Sequence, residues 1–174
     1  MKIKNIHIIG AVFTIVLGTI LHFAYSWSGS NDVVALFSAV NESVWEHLKL
    51  LFFPVIAFAI IEYIYYGRNY NNFICAKFIS VLIGMIFIVI SFYTYSGIIG
   101  SNFVIIDVLI FIISVIITYR LSLKILNSDK YKSKNCNILC TIGIMFFISL
   151  FFTFTFSPPK LNLFMDSLTK TYGA

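Results

Sequence analysis

The chain has 174 residues, 60% of them hydrophobic and only 11% charged, with a formal net charge of +5. A soluble domain carries roughly 25% charged residues, so the composition excludes an ordinary soluble enzyme or binding module. It points to an all-α polytopic membrane bundle, a single integral membrane domain over residues 1–174. In such a protein a basic excess reports topology rather than nucleic-acid binding.

A span needs about 20 mainly apolar residues, and five segments qualify. The first runs from about Ile6 to Tyr25. Lys2 and Lys4 precede it, but the apolar run is too long for a signal-peptide core and no small-x-small cleavage site follows, so it reads as a retained span. The next stretch, "NDVVALFSAV" (residues 31–40), is apolar but too short to cross. It reads as an interfacial or re-entrant piece.

The second span runs from about Trp45 to Tyr66. Asn41 is a good N-cap residue, Ser43 with Glu46 fits a capping box, and Glu46 with Lys49 fits an i,i+3 pair. Pro54 interrupts the backbone hydrogen-bond ladder and predicts a kink. The third span runs from about Phe73 to Tyr95, the fourth from about Phe103 to Ile125, and the fifth from about Ile138 to Phe156. Pro158 and Pro159 end the fifth. The tail, residues 157–174, mixes apolar and polar residues like the 31–40 stretch.

With the N terminus inside, the cytoplasmic side receives Lys2, Lys4, Arg68, Lys77, Arg120, Lys124, Lys130, Lys132 and Lys134. The outer side keeps Lys49, Lys160 and Lys170. Nine against three is a strong positive-inside asymmetry. It predicts a multi-pass protein of the cytoplasmic (inner) membrane with its C terminus outside. Trp27, Trp45, Tyr93 and Tyr95 then fall at outer ends, where amphipathic rings favour the headgroup region. Of the three cysteines, Cys136 and Cys140 share a helix face and Cys75 lies at the start of the third span. All three read as reduced thiols near the cytoplasm.

This orientation gathers polar groups at the outer ends of the spans. His22 ends the first span, Glu42, Glu46 and His47 open the second, and Asp107 lies one turn into the fourth. Local capping accounts for Asn41, Ser43 and Glu46. It does not account for Asp107, because a carboxylate inside lipid must face the bundle or water. Asp107 is therefore expected to point inward, within hydrogen-bond or single-water reach of His22 or the Glu42–His47 turn. Glu46 and His47 diverge by roughly 100° around a regular helix. A metal or acid/base centre would thus take Glu46 or His47, together with His22 and Asp107. Those four are the candidate catalytic and metal-binding residues. Asn41, Glu42, Ser43, Trp45, Tyr93, Tyr95 and Asp166 are the wider polar set. The donors suit zinc or a similar divalent metal, although no specific metal motif is present; H-E-x-x-H, G-x-S-x-G, P-loop and G-x-G-x-x-G patterns are absent.

Three stretches, "LHFAYSWSGSNDVVALFSAVNESVWEHLKLLFFP", "FYTYSGIIGSNFVIID" and "FTFSPPKLNLFMD", carry a resemblance that extends over nearly the whole chain. They resemble an uncharacterised family of small bacterial multi-spanning membrane proteins, a domain-of-unknown-function family. The resemblance implies an integral membrane protein and no particular activity. The first functional reading is therefore an integral membrane protein of unassigned biochemical role with a polar site at its outer face. One alternative is a membrane-embedded metal-assisted hydrolase acting at the outer leaflet. Another is a substrate-binding or accessory subunit of a transporter. The expected partners are the lipid bilayer and another membrane protein, with no nucleic acid.

Overall fold

The computed structural model describes residues 3–174. Among them there are six α-helices and no strand. The long helices are α1 (Ile3–Trp27), α3 (Val44–Tyr65), α4 (Phe73–Ile99), α5 (Val104–Leu126) and α6 (Lys134–Phe156). A short helix, α2 (Asp32–Ala35), lies between α1 and α3. All five long helices are long and apolar enough to cross a membrane, which marks a multi-pass membrane protein. They match the five expected spans, with α4 four residues longer at its end and α6 four residues longer at its start.

Helices α1, α4 and α6 start at one end of the bundle. That end carries the 66–72 and 127–133 connections with Arg68, Lys130 and Lys132, and is called the basic end here. The opposite end carries residues 28–43, 100–103 and 157–174, and is called the tail end. Lys2 lies outside the described residues. Two of the other bases are not surface charges. Lys77 and Lys49 are buried, so one base leaves each side of the topology count and the asymmetry stands.

Helix α3 is the axis of the bundle. It packs against α1 and α4, and α5 closes the ring by packing on both of those. Small residues permit the close approaches, as membrane helix packing requires. A Cβ on Gly18 would lie 2.6 Å from the Leu50 carbonyl oxygen, so α1 and α3 meet there nearly backbone to backbone. Helix α6 packs mainly on α4. The connections are tied by side chains. Asn72, fully buried, donates from Nδ2 to the carbonyls of Ile125 (2.7 Å), Lys130 (3.1 Å) and Ser128 (3.2 Å). It thereby ties the start of α4 to the last turn of α5 and to the loop that follows it.

Two expectations are corrected. Trp45 is no interfacial anchor. It is buried among Phe151, Phe154 and Phe164, because the tail folds back over the start of α3 and covers the ring. The cysteines are not all free thiols either. Cys75 and Cys140 form a disulfide with a Cα–Cα distance of 5.3 Å, and Cys136 is free. The adjacent packing of α4 and α6 brings Cys75 and Cys140 together, whereas the i,i+4 spacing of Cys136 and Cys140 only puts them on one face.

Candidate functional site

The site forms where the loop before α3 is pinned on both sides. Asn41 accepts from the Ser43 N–H through Oδ1 (2.9 Å) and donates from Nδ2 to the Gly173 carbonyl (3.0 Å). Ser43, rather than Asn41, is the N-cap of α3; its hydroxyl accepts from the Glu46 N–H. Asp166 in the tail accepts from the Glu42 N–H (3.1 Å), and its other oxygen accepts from Leu168 and Thr169. The backbone at Glu42 is therefore held by the tail on one side and by α3 on the other.

From that position the Glu42 carboxylate reaches two histidines. One oxygen lies 3.8 Å from His22 Nε2, near the end of α1, and the other lies 3.4 Å from His47 Nε2, in the first turn of α3. The imidazole centroids are 5.2 Å apart. His47 Nδ1 is 2.8 Å from the Ser43 carbonyl oxygen. A carbonyl can only accept, so this contact places a proton on Nδ1 and leaves Nε2 facing Glu42. Ligand atoms from His22, Glu42 and His47 all lie within 4.8 Å of one another.

Of the four principal candidates, the structure brings His22 and His47 together and separates the other two from them. Glu46 turns away. Its Oε2 is 2.5 Å from Lys49 Nζ and accepts from the Val40 N–H, and both side chains are buried. Lys49 also donates to the Ala35 carbonyl and the Thr155 hydroxyl, each at 2.8 Å. Glu46 and Lys49 are thus structural, tying the 31–40 segment and α6 to α3. Glu42, expected only in the wider set, takes the place given to Glu46, because it precedes the regular helix and is free of the 100° separation.

Asp107 does not bond to His22 or to the Glu42–His47 turn, contrary to expectation. It accepts from the Tyr95 hydroxyl and, at 3.4 Å, from Asn102 Nδ2. Tyr95 also accepts from the Phe103 N–H at the start of α5, so the polar partners of Asp107 come from the end of α4 and the turn that follows. Asp107 nevertheless lines the same pocket as Glu42 and His47. That pocket, about 80 Å³, has an apolar floor of Leu50, Ile88, Phe92, Ile110 and Phe111. It adjoins a wider vestibule of about 290 Å³, walled by Tyr93, Ser96, Asn102, Asn162, Ser167 and Lys170. Of these, Asn102 and Ser167 carried no signal in the sequence beyond their place in polar turns.

Asp166 is the one candidate whose ionisation is shifted outside the spans. Burial alone would raise its pKa, but hydrogen bonds from the Thr169, Glu42 and Leu168 N–H groups outweigh that and hold it below the usual carboxylate range.

A second polar cluster lies near the basic end. Glu62 Oε2 is 2.5 Å from Lys77 Nζ, Tyr66 donates its hydroxyl to Oε1 at 2.6 Å, and His7 Nδ1 is 3.8 Å from Oε1. The Lys77 ammonium also lies over the Phe73 and Tyr119 rings, and Tyr119 shares a hydrogen bond with Thr14. All of these side chains are buried. Glu62 is absent from the residues expected to form a site. The same rule that singled out Asp107, an acid inside an apolar helix, singles out Glu62 in "AIIEYIYY", and Lys77 one turn into α4 is its partner by depth.

The chain belongs to a family of unknown function, DUF6512. The family model matches residues 1–174, in keeping with the resemblance read from the three stretches. No curated protein and no solved structure matches the chain.

Proposed function

We propose that this multi-pass membrane protein binds a divalent metal through His22, Glu42 and His47 and uses it to activate water for hydrolysis. The observation that carries this reading is the convergence of the three ligand atoms, each within 4.8 Å of the others. Two imidazoles and one carboxylate are the donor set of a catalytic zinc site that keeps a fourth position open. The Nδ1 contact of His47 to the Ser43 carbonyl is the outer support that ligating histidines ordinarily have. The open position would give onto the pocket, where Asp107 is the carboxylate not committed to the metal. Its two oxygens accept from Tyr95 and Asn102 and retain lone pairs, so it can take the proton of the bound water. The basic asymmetry of the loops supports placing the basic end in the cytoplasm and this site at the outer leaflet.

The test is zinc binding by the chelator-stripped protein in detergent. Equimolar zinc should bind. His22→Ala and His47→Ala should each weaken it by at least about a hundredfold, because even groups that only orient ligands contribute about 10–100-fold. Asp129→Asn, in an exposed pair with Lys132 at the basic end, is the control. Zinc binding that is absent, or unchanged in both histidine variants, would overturn the proposal.

A further inference from the structure

The shape of the cavity beside the histidines restricts what that site can hydrolyse. We propose that the substrate is a short-chain acyl ester or amide with a larger polar body, its acyl group of about three or four carbons seated on the apolar floor. This inference rests on the metal reading above and adds the substrate class.

Two cavities meet at the site. They share Glu42, Val44, Phe92, Asn102 and Ser167, so they adjoin, with Glu42 at the junction. Below the junction the walls are Leu50, Ile88, Phe92, Ile110 and Phe111. Above it the walls mix Ser96, Ser101, Asn162 and Lys170 with Tyr93, Met165 and two glycines. A ligand that fills both would set an apolar end on the lower floor and meet hydroxyls, an amide and an ammonium at the other, with its reacting bond between them beside Glu42 and His47. The Lys170 ammonium donates to the Ser167 carbonyl at 2.8 Å and has further N–H groups for an anionic polar body.

The volume sets the chain length. An apolar cavity of about 150 Å³ holds one benzene. The lower pocket is about 80 Å³, which corresponds to about three or four carbons on that scale. Its far wall is the packed interface of α3, α4 and α5, where Leu50, Ile88 and Ile110 are themselves nearly fully buried. A long lipid chain has no room to continue past that floor.

The reaction balances with water as the only co-reactant. A metal held by His22, Glu42 and His47 would supply an activated water; its oxygen would bond to the acyl carbon, and Asp107 would take its proton. The acyl C–O or C–N bond breaks, and the same proton goes to the departing alkoxide or amide nitrogen. The products are a short carboxylic acid and an alcohol or amine.

The experiment uses the full chain in detergent, with its zinc content measured on the same sample. The probes are acetyl, butanoyl, octanoyl and dodecanoyl esters of a nitrophenol carrying a sulfonate. Hydrolysis should be fastest for the butanoyl ester and about tenfold or more slower for the octanoyl ester, the scale on which a filled pocket rejects extra methylenes. Ile110→Phe, which narrows the floor, should keep its zinc and move the optimum to the acetyl ester. Bound zinc with rates that rise with chain length, stay flat or are absent overturns the substrate assignment and leaves the metal reading standing. Absence of zinc overturns both.

Discussion

Replacing Lys77 with Met tests whether the buried pair near the basic end holds the bundle together. The Lys77 ammonium is 2.5 Å from Glu62, and the two side chains are 2% and 0% exposed. Met keeps most of the stem's packing and removes the charge. Glu62 would then be a buried carboxylate with only the Tyr66 hydroxyl at 2.6 Å and His7 at 3.8 Å. Removing one partner of a buried pair costs about 3–5 kcal/mol, whereas replacing both by well-packed apolar residues is often close to neutral. The tyrosine bond stays available if Glu62 is replaced by Gln, because an amide oxygen also accepts, but the buried amide N–H groups keep a cost of about 1–3 kcal/mol. We therefore expect Lys77→Met to destabilise by about 3–5 kcal/mol and Lys77→Met/Glu62→Gln to recover part of that loss. The assay is reversible unfolding in mixed micelles at rising SDS fraction, with Glu62→Gln completing the cycle. A single variant as stable as the parent, or a double variant no better than Lys77→Met, would refute the reasoning.

The remaining predictions concern the thiols, the tail and the orientation. Thiol titration of the denatured, unreduced protein should detect Cys136 alone, with Cys75 and Cys140 appearing only after reduction; full titration without reductant would remove the α4–α6 crosslink. Asp166→Ala should release the tail, because the carboxylate holds the Glu42, Leu168 and Thr169 N–H groups, and amide exchange over residues 157–174 should rise. The folded pKa of Asp166 is depressed, so its contribution is fully present above the ordinary value of about 3.9 and is lost as pH falls through the folded value. With the intrinsic pH dependence of amide exchange divided out, protection of the parent tail should therefore stay constant from neutral pH down to about 4 and fall only below that; a loss of protection already at neutral-side pH would contradict the assigned anchor. A periplasmic-type reporter fused after Ala174 should be active, and activity of a cytoplasmic reporter there would reverse the orientation.

Hydropathy along the chain determined the five helices and the sides on which their loops fall. Membrane crossing requires only a long apolar run whose backbone is satisfied internally, and that requirement is local. The Ser43 cap and the Glu46–Lys49 pair were legible for the same reason, since partners three residues apart meet on any helix. The composition of the site was not local. His22 and His47 come from different helices, and Glu42 reaches them only because Asp166 and Gly173, more than a hundred residues later, pin the loop around it. The rule against unpartnered acids in lipid correctly demanded a partner for Asp107, but Tyr95 on the neighbouring α4 and Asn102 in the turn after it supplied that partner. Depth in the membrane is readable from a sequence. Which faces of five helices meet at that depth is decided by side-chain packing, and here packing set Glu42 beside the two histidines and made Glu46 a brace.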